Sequence, residues 1–440
     1  MRVTINSFGS RGDVQPYIAL GKGLKAAGHD VRITTHRIFA DLVCQHGLDF
    51  SPMEGDPKEV LLEQAIVNLG NNPFRINRWI VENFRPVMDR VFHATLEGAQ
   101  GADVLLNSAL SFAGWHVAEK LNLPAIAAYL QPATPTRAFH GMSSPLPPAW
   151  LPFRGLYNLL STKFANQFFF TMVRPLTNVC RSEILGLPPL SAAYYWGLDS
   201  ASAQVPILYG YSPSVIPKPV DWGDYQQVTG YWFLDDARSY NPPPELTAFL
   251  ESGPPPVYVG FGSMVDHERE EMTRLIVDAL GRTRQRAILL GGWSDLGSMG
   301  LPDSILRVDY VPHDWLFPRL SAVVHHGGAG TTAAGLRAGV PAVIVPFTAD
   351  QPFWAWRVHE LGVGPKWILR KKLTAEKLAA AIDQAVHDRS MAQRAKVLGR
   401  KINAENGLGA AVHLVEQFMG KSNICKQFNG ITHVIGHIFF

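Results

Sequence analysis

A glycine-rich turn between an apolar run and a helix of small residues constrains this chain more than any other feature. Residues 321–352 read SAVVHHGGAGTTAAGLRAGVPAVIVPFTADQP. The order is strand, tight turn, helix, strand and second turn, the repeating unit of a parallel, doubly wound sheet. Gly327, Gly328 and Gly330 let the backbone bend sharply and approach an anion, and Thr331 and Thr332 fall where a helix N-terminus leaves its N–H groups unpaired. The helix dipole adds about half a positive charge there, and His326 offers a further donor. A diphosphate fits such a turn without a metal ion, although a plain glycine turn beside a core histidine has the same sequence. The spacing is neither G-x-G-x-x-G nor G-x-x-x-x-G-K-[ST], so dinucleotide oxidoreductases and P-loop NTPases lose their support.

The alternation runs along most of the chain. RVTINSF (2–8) predicts a strand, and PYIALGKGLKAAG a helix with Pro16 in its first turn and Gly28 as its stop. HDVRITTH, LDFSPM, DVLLNS (103–108) and PAIAAYL (124–130) continue the strands, with FAGWHVAEKLN as a helix. Residues 1–210 therefore read as one α/β domain. Residues 131–200 interrupt the pattern with a proline-rich loop and a helix crowded with aromatics, NQFFFTMVRPL, then PPLSAAYYWG. Too many aromatics for one buried face suggest the wall of an apolar cleft, with Phe139, Trp150, Phe168, Tyr195 and Trp196 as lining residues; core packing accounts for any one of them taken singly. Residues 211–245 read as an interdomain connection, 246–420 as a second Rossmann-like domain with strands PVYVGFGSM, RAILLGGW, ILRVDYV, SAVVHHGG and PAVIVPF, and 421–440 as a tail of unassigned role.

Bulk composition narrows the partners. At 440 residues the chain is long for a single core. Its net charge of +3, without a basic run, argues against nucleic acid, while the pI near 8.7 leaves room for peripheral contact with an anionic membrane. Cys44, Cys180 and Cys425 are widely spaced, which suggests buried thiols in place of a disulfide frame or a zinc site. No stretch approaches the roughly 18 apolar residues of a membrane span and no signal-peptide pattern opens the sequence, so a cytoplasmic protein is expected.

The stretch HHGGAGTTAAGLRAGVPAVIVPFTADQPFWAWRVHELGVG resembles the donor-sugar signature of the GT-B nucleotide-sugar glycosyltransferases, and most closely that of the sterol 3-beta-glucosyltransferases, which are related to antibiotic and macrolide glycosyltransferases. The resemblance implies two Rossmann-like domains facing across a cleft. It places His326, Gly328, Ala329, Gly330 and Thr331 on the donor phosphates, and Asp350 with Gln351 on the sugar. FGSRGDVQP (8–16) is similar to the N-terminal motif of these families, which implies Asp13 as general base, with Ser10 and Gly12 near the diphosphate. Read without that resemblance, Asp13 is a cap or first-turn carboxylate of the following helix. YVPHDWLF is similar to the nucleotide-base segment, which makes Val311 and His313 base contacts. Ser263, after a strand, offers a hydroxyl to phosphate or ribose; Trp293 suits stacking on the base and equally suits a core.

The implied reaction is inverting transfer of glucose from UDP-glucose to a sterol or similar lipophilic alcohol, with no cofactor or metal. The same reaction on a macrolide, peptide or terpenoid, including with a TDP-sugar, stays open, because acceptor identity is written in residues 50–200, where the resemblance is weakest. A non-catalytic nucleotide- or lipid-binding protein would have no need of Asp13, His326, Asp350 and Gln351 together. A sugar-nucleotide epimerase would have no use for an aromatic acceptor wall.

Overall fold

The computed structural model describes residues 1–55, 73–142, 144–148, 150–191, 205–235, 240–261, 269–291 and 300–420. It divides into two compact units, each built on a parallel sheet. Of the described residues, the first comprises those in 1–213, 217–234 and 406–420, and the second those in 214–216 and 235–405.

In the first unit the strands are β1 (Arg2–Asn6), β2 (Asp30–His36), β3 (Asp49–Met53), β4 (Val104–Asn107), β5 (Ala125–Tyr129), β6 (Ile207–Tyr209) and β7 (Gln226–Val228). They pair in the order β3-β2-β1-β4-β5-β6-β7, all parallel. The helices are α1 (Arg11–Ala26), α2 (Ala40–Gln45), α3 (Pro73–Gly98), α4 (Ala113–Leu121) and α5 (Arg154–Glu183). In the second unit, β8 (Val257–Gly260), β9 (Ala287–Leu290), β10 (Ile305–Val308), β11 (Ala322–His325) and β12 (Ala342–Ile344) pair as β10-β9-β8-β11-β12. Its helices are α6 (Pro244–Glu251), α7 (Arg269–Thr283), α8 (His313–Leu316), α9 (Ala329–Ala338), α10 (Gln351–Glu360), α11 (Ala375–His387) and α12 (Arg389–Asn403); α13 (Gly407–Gly420) follows. Central strands such as VLLN and VYVG are buried throughout because helices cover both faces of a parallel sheet.

Three expectations are corrected. Residues 217–234 are not a connection: β7 closes the first sheet, and Trp232 and Leu234 enter its core. Helix α13 belongs to the first unit and not to the domain expected over 246–420. Ala411, Val412, Val415 and Phe418 pack into the core around α1, where a Cβ on Gly23 would stand 3.2 Å from Val412 Cγ2. Sequence order hid both, because the chain returns to its first unit after completing its second. Of the cysteines, Cys180 is buried but Cys44 is exposed; Cys425 lies outside the described residues.

Helix α1 begins at Arg11, five residues before the proline expected to open it. Pro16 cannot donate to the Gly12 carbonyl, and Gly12 is exposed, so water can take up that acceptor. A reciprocal cap, Ser10 with Asp13 three residues on, sets the real start.

One buried polar cluster ties α4 to α5. Arg181 is fully buried and donates to Glu119 at 2.7 Å, to the Pro188 carbonyl, and to His116 Nδ1 at 2.9 Å. His116 stacks on Phe92, and burial, helped by the Arg181 charge, pushes its pKa down to about 3. Between pH 6.5 and that value the unfolded chain binds a proton that the folded chain refuses, so this contribution to stability is lost as pH falls. The melting temperature of His116→Gln, which keeps an acceptor for Arg181 but cannot titrate, is expected to fall less steeply than wild type from pH 6.5 to 4. Equal slopes in a thermal titration would place the proton uptake elsewhere.

Candidate functional site

Both sheets fork between their first and fourth strands, and in sheets of this kind ligands bind at the carboxyl ends flanking that fork. In the first unit those ends are Asn6 and Asn107. Asn6 Nδ2 donates to Asn107 Oδ1 at 2.9 Å, and the Asn6 carbonyl accepts from Ser108 N and from Ser111 Oγ. A Cβ on Gly114 would lie 1.9 Å from Asn107 Oδ1, so α4 can approach the amide pair only with glycine there.

From Asn6 the chain turns through Ser7–Ser10 into α1. Asp13 Oδ2 accepts the Ser10 backbone N–H and the Ser10 hydroxyl, each at 2.8 Å, while the Ser7 hydroxyl donates to the Asp13 carbonyl at 2.6 Å. The first-turn role read from the residues is thus realised. The Asp13 side chain keeps partial access to solvent but is crowded by protein, and that burial raises its pKa against the lowering pull of the two Ser10 bonds. Tyr17, one helical turn on, is buried and donates to the Ala128 carbonyl at 2.6 Å; burial and the Asp13 charge raise its pKa, so it stays a neutral phenol. Ser7, Gly9 and Tyr17 were not singled out from the sequence. For Tyr17 the signal was its four-residue spacing from Asp13 on one helix.

In the second unit the corresponding strand ends are Gly260 and His325. Gly327 takes φ 94°, and its N–H donates to His325 Nδ1 at 3.0 Å. That bond makes Nδ1 the acceptor and places the proton of the neutral ring on Nε2. Burial, with His326 and His313 nearby, holds the pKa of His325 well below the ordinary value. Burial also lowers that of His326, to about 4. Both rings are therefore uncharged at neutral pH. His326 Nδ1 is buried with no hydrogen-bond partner, and Nε2 lies against Gly328, where a Cβ would come within 2.5 Å. Gly328 caps α9, whose first residues Ala329, Gly330 and Thr331 present the helix N-terminus, and a Cβ on Gly330 would meet open space. Of the three glycines, one supplies a positive φ, one makes room for the histidine, and the third is conformationally undemanding.

The loop after β12 approaches the same turn: a Cβ on Gly327 would lie 3.2 Å from the Gln351 carbonyl oxygen. Gln351 is buried, and its Oε1 accepts from Phe347 N at 2.7 Å and Thr348 N at 3.1 Å, so this oxygen holds the loop. Asp350 Oδ2 accepts from Trp354 Nε1 at 2.8 Å, and Ala349 before it takes a left-handed φ of 55°. Val311 is buried, which leaves its backbone for any base contact; His313 stacks on Phe317 with centroids 4.3 Å apart. Among the described residues no group of three or more His, Cys, Asp or Glu is arranged to hold a metal ion.

The residues expected to line an apolar cleft differ in exposure. Phe139 is half-buried and edge-on to Trp222, but Trp150 and Phe168 face solvent, 79% and 59% exposed. Their helix and loop turn these side chains away from the core. Ser263, Trp293, Tyr195 and Trp196 lie outside the described residues.

Residues 3–140 match the family model of the glycosyltransferase family 28 N-terminal domain, and residues 275–407 that of the erythromycin biosynthesis protein CIII-like C-terminal domain. A sterol 3-beta-glucosyltransferase of Neurospora crassa is 39% identical over 434 residues, 94% of this chain. The chain spans 27% of the length of that relative. Among solved structures, the glycotransferase of kitacinnamycin superposes with a TM-score of 0.66 at 20% identity, over 94% of this chain and 98% of the other. A Streptomyces glycosyltransferase complexed with thymidine diphosphate gives 0.60 at 19% identity, over 95% and 99%. The two Rossmann-like units have the GT-B fold of these solved glycosyltransferases, and glycosyltransferase family models match a stretch of each. Both strand-end sites lie in stretches that the family models match, Asp13 in the N-terminal one and His326 in the C-terminal one.

The turn before α1 permits a stability test. Gly9 takes φ 124°, and a Cβ there would fall 2.5 Å from Asp13 Oδ2, whereas one on Gly12 meets only Ser10 Oγ at 3.7 Å. Gly9→Ala should cost about 1–3 kcal/mol in urea unfolding, from backbone strain and a displaced carboxylate. Gly12→Ala, in a helix, should be neutral or slightly stabilising. Equal midpoints for the two variants would refute this account of the turn.

Proposed function

We propose that the protein transfers glucose from UDP-glucose to the hydroxyl of a sterol or a closely similar lipophilic alcohol, with inversion at the sugar carbon and Asp13 as general base. The observation that carries this reading is the match to a sterol 3-beta-glucosyltransferase, which runs through 94% of the chain, and the family models take in both strand-end sites. The carboxylate geometry supports the role of Asp13. An aspartate at its ordinary pKa is a weak base, and burial raises this one toward the working range. Both Ser10 bonds fall on Oδ2, so the proton of the acceptor hydroxyl is assigned to Oδ1. As that proton leaves, the acceptor oxygen attacks the anomeric carbon, the bond to the diphosphate breaks, and UDP departs with the electron pair.

The second unit has the chemistry to stabilise that departure. The N-terminus of α9 directs unpaired N–H groups and a partial positive charge at an anion, and His326 serves as a neutral donor. A ligand would also relieve the buried, unpartnered His326 Nδ1, whose orphaning costs about 1–3 kcal/mol. In this reading Asp350 and Gln351 orient the sugar, Gln351 through its amide nitrogen since its oxygen is committed to the loop. Neither the donor chemistry nor the base requires a metal ion. A TDP-sugar donor is the second reading, favoured by the thymidine diphosphate held in one structural neighbour.

With UDP-glucose and a sterol panel analysed by mass spectrometry, wild type should form a hexosylated sterol. Asp13→Asn should lose about 10²–10⁴-fold in turnover while nucleotide-sugar binding by calorimetry stays unchanged. His326→Ala should weaken that binding. The acid limb of kcat/KM should lie above the ordinary carboxylate range, activity falling as Asp13 protonates. Full turnover in Asp13→Asn would move the base elsewhere, and product only with TDP-sugars would select the second donor.

A further inference from the structure

The first half of helix α5 is built inside out. Its buried side carries Asn158, Thr162 and Asn166 at four-residue spacing: Asn158 Nδ2 donates to the Arg137 carbonyl at 3.0 Å and Thr162 Oγ1 to the Asn158 carbonyl at 3.1 Å, while the amide oxygens of Asn158 and Asn166 are buried without a partner. Its outer side carries Leu156, Leu160, Phe164 and Phe168, again four apart and all exposed, Phe164 at 71%. This stripe is about 18 Å long at the rise of an α-helix. The Phe164 and Phe168 rings stack with centroids 6.5 Å apart, and Phe153 and Trp150, which precede the helix in sequence, are 73% and 79% exposed. Water-facing helices have the opposite pattern, and a contiguous exposed apolar surface with aromatic ends marks an interaction site.

Charge selects the occupant. Between Glu119 and Glu183 the sequence contains no Asp or Glu, but it contains Lys120, Arg137, Arg154, Lys163, Arg174 and Arg181. Arg181 is consumed by Glu119, and the acid nearest the loop, Asp221, accepts from Thr136 and from the Arg137 backbone. Arg154 and Lys163 are exposed on the same helix as the stripe. A second copy seated on this face would bring these cations against their own equivalents. An anionic lipid headgroup layer instead neutralises them while the Leu, Phe and Trp side chains enter the acyl boundary. We propose that the exposed face of α5, from Trp150 to Phe168, docks the protein on an anionic bilayer surface, lying in the interface and not crossing it. No helix among the described residues is long and apolar enough to span. The inference rests on α5 and the turn leading into it, and stands whatever the acceptor is.

The test is vesicle co-sedimentation of the full chain. Vesicles of phosphatidylcholine with about 30% phosphatidylserine should pellet wild type, with binding weakened by about 0.5 M salt. The double variant Leu160→Ser with Phe164→Ser, both positions being exposed, should keep the wild-type melting temperature and bind at least tenfold more weakly. Lys163→Glu should lose about fivefold or more on the anionic vesicles and little on phosphatidylcholine alone. Undiminished binding by the double variant, or no binding by wild type, overturns the proposal. So does a dimer in sedimentation velocity that the double variant disperses, since it would make a second copy the occupant.

Discussion

The whole arrangement depends on one constraint of parallel sheets: where successive strands go to opposite edges, the ends of the two central strands cannot both be covered by the connections that leave them. Each unit has one such fork, between β1 and β4 and between β8 and β11. The polar groups that matter collect there because backbone and side chains at these ends have no regular partner. In the first unit the gap is filled by the Asn6–Asn107 amide pair and the Ser7–Ser10 turn, which place Asp13 in the first turn of α1. In the second it is filled by His325, His326 and the Gly327 turn. Different residues solve the same topological problem, one unit with a carboxylate and the other with neutral rings and a helix N-terminus.

What could be read from the sequence follows how local each determinant is. The strand runs, the Gly327 turn and the α9 start are set by contiguous residues, and the structure contains them where the pattern placed them. The start of α1 was misread because a proline was given more weight than the Ser10–Asp13 spacing; a cap that satisfies backbone donors outranks a residue that is merely tolerated in a first turn. Membership of β7 and α13 in the first unit could not be read at all, since it depends on contacts such as Val412 against Gly23 between segments nearly the whole chain apart. The role of Gly328 was legible as a small residue, but its reason, contact with the His326 ring, needed coordinates.

The aromatic excess at 139–196 shows a different limit. Composition marked the segment as unusual and gave it the reading of an apolar cleft wall, with core packing as the alternative for any one residue. Periodicity along α5 also contained the alternative, because Asn158, Thr162 and Asn166 share one face and Leu156, Leu160, Phe164 and Phe168 another. Nothing in that periodicity says which face turns inward. The answer comes from partners elsewhere in the chain, above all the Arg137 carbonyl that receives Asn158. The polar stripe turns inward where its amide nitrogens and the Thr162 hydroxyl find backbone carbonyls, and the apolar stripe is left to the surface.

The two strand-end sites also differ in how they answer to pH, and the difference follows from desolvation alone. Burial penalises charge, so it lowers the pKa of His325 and His326 and raises that of Asp13. An anion held by neutral imidazole and backbone N–H groups meets the same donors at any pH above about 4, and its binding is insensitive to histidine titration across the neutral range. The carboxylate's pKa moves the other way, upward from its ordinary value. On the proposed reaction, then, pH acts on the proton-transfer step at the first unit and leaves the hold on the diphosphate at the second unit unaltered. A cationic histidine at position 326 would have bound the leaving diphosphate more tightly in acid and so tied product release to pH; the buried neutral ring avoids that coupling.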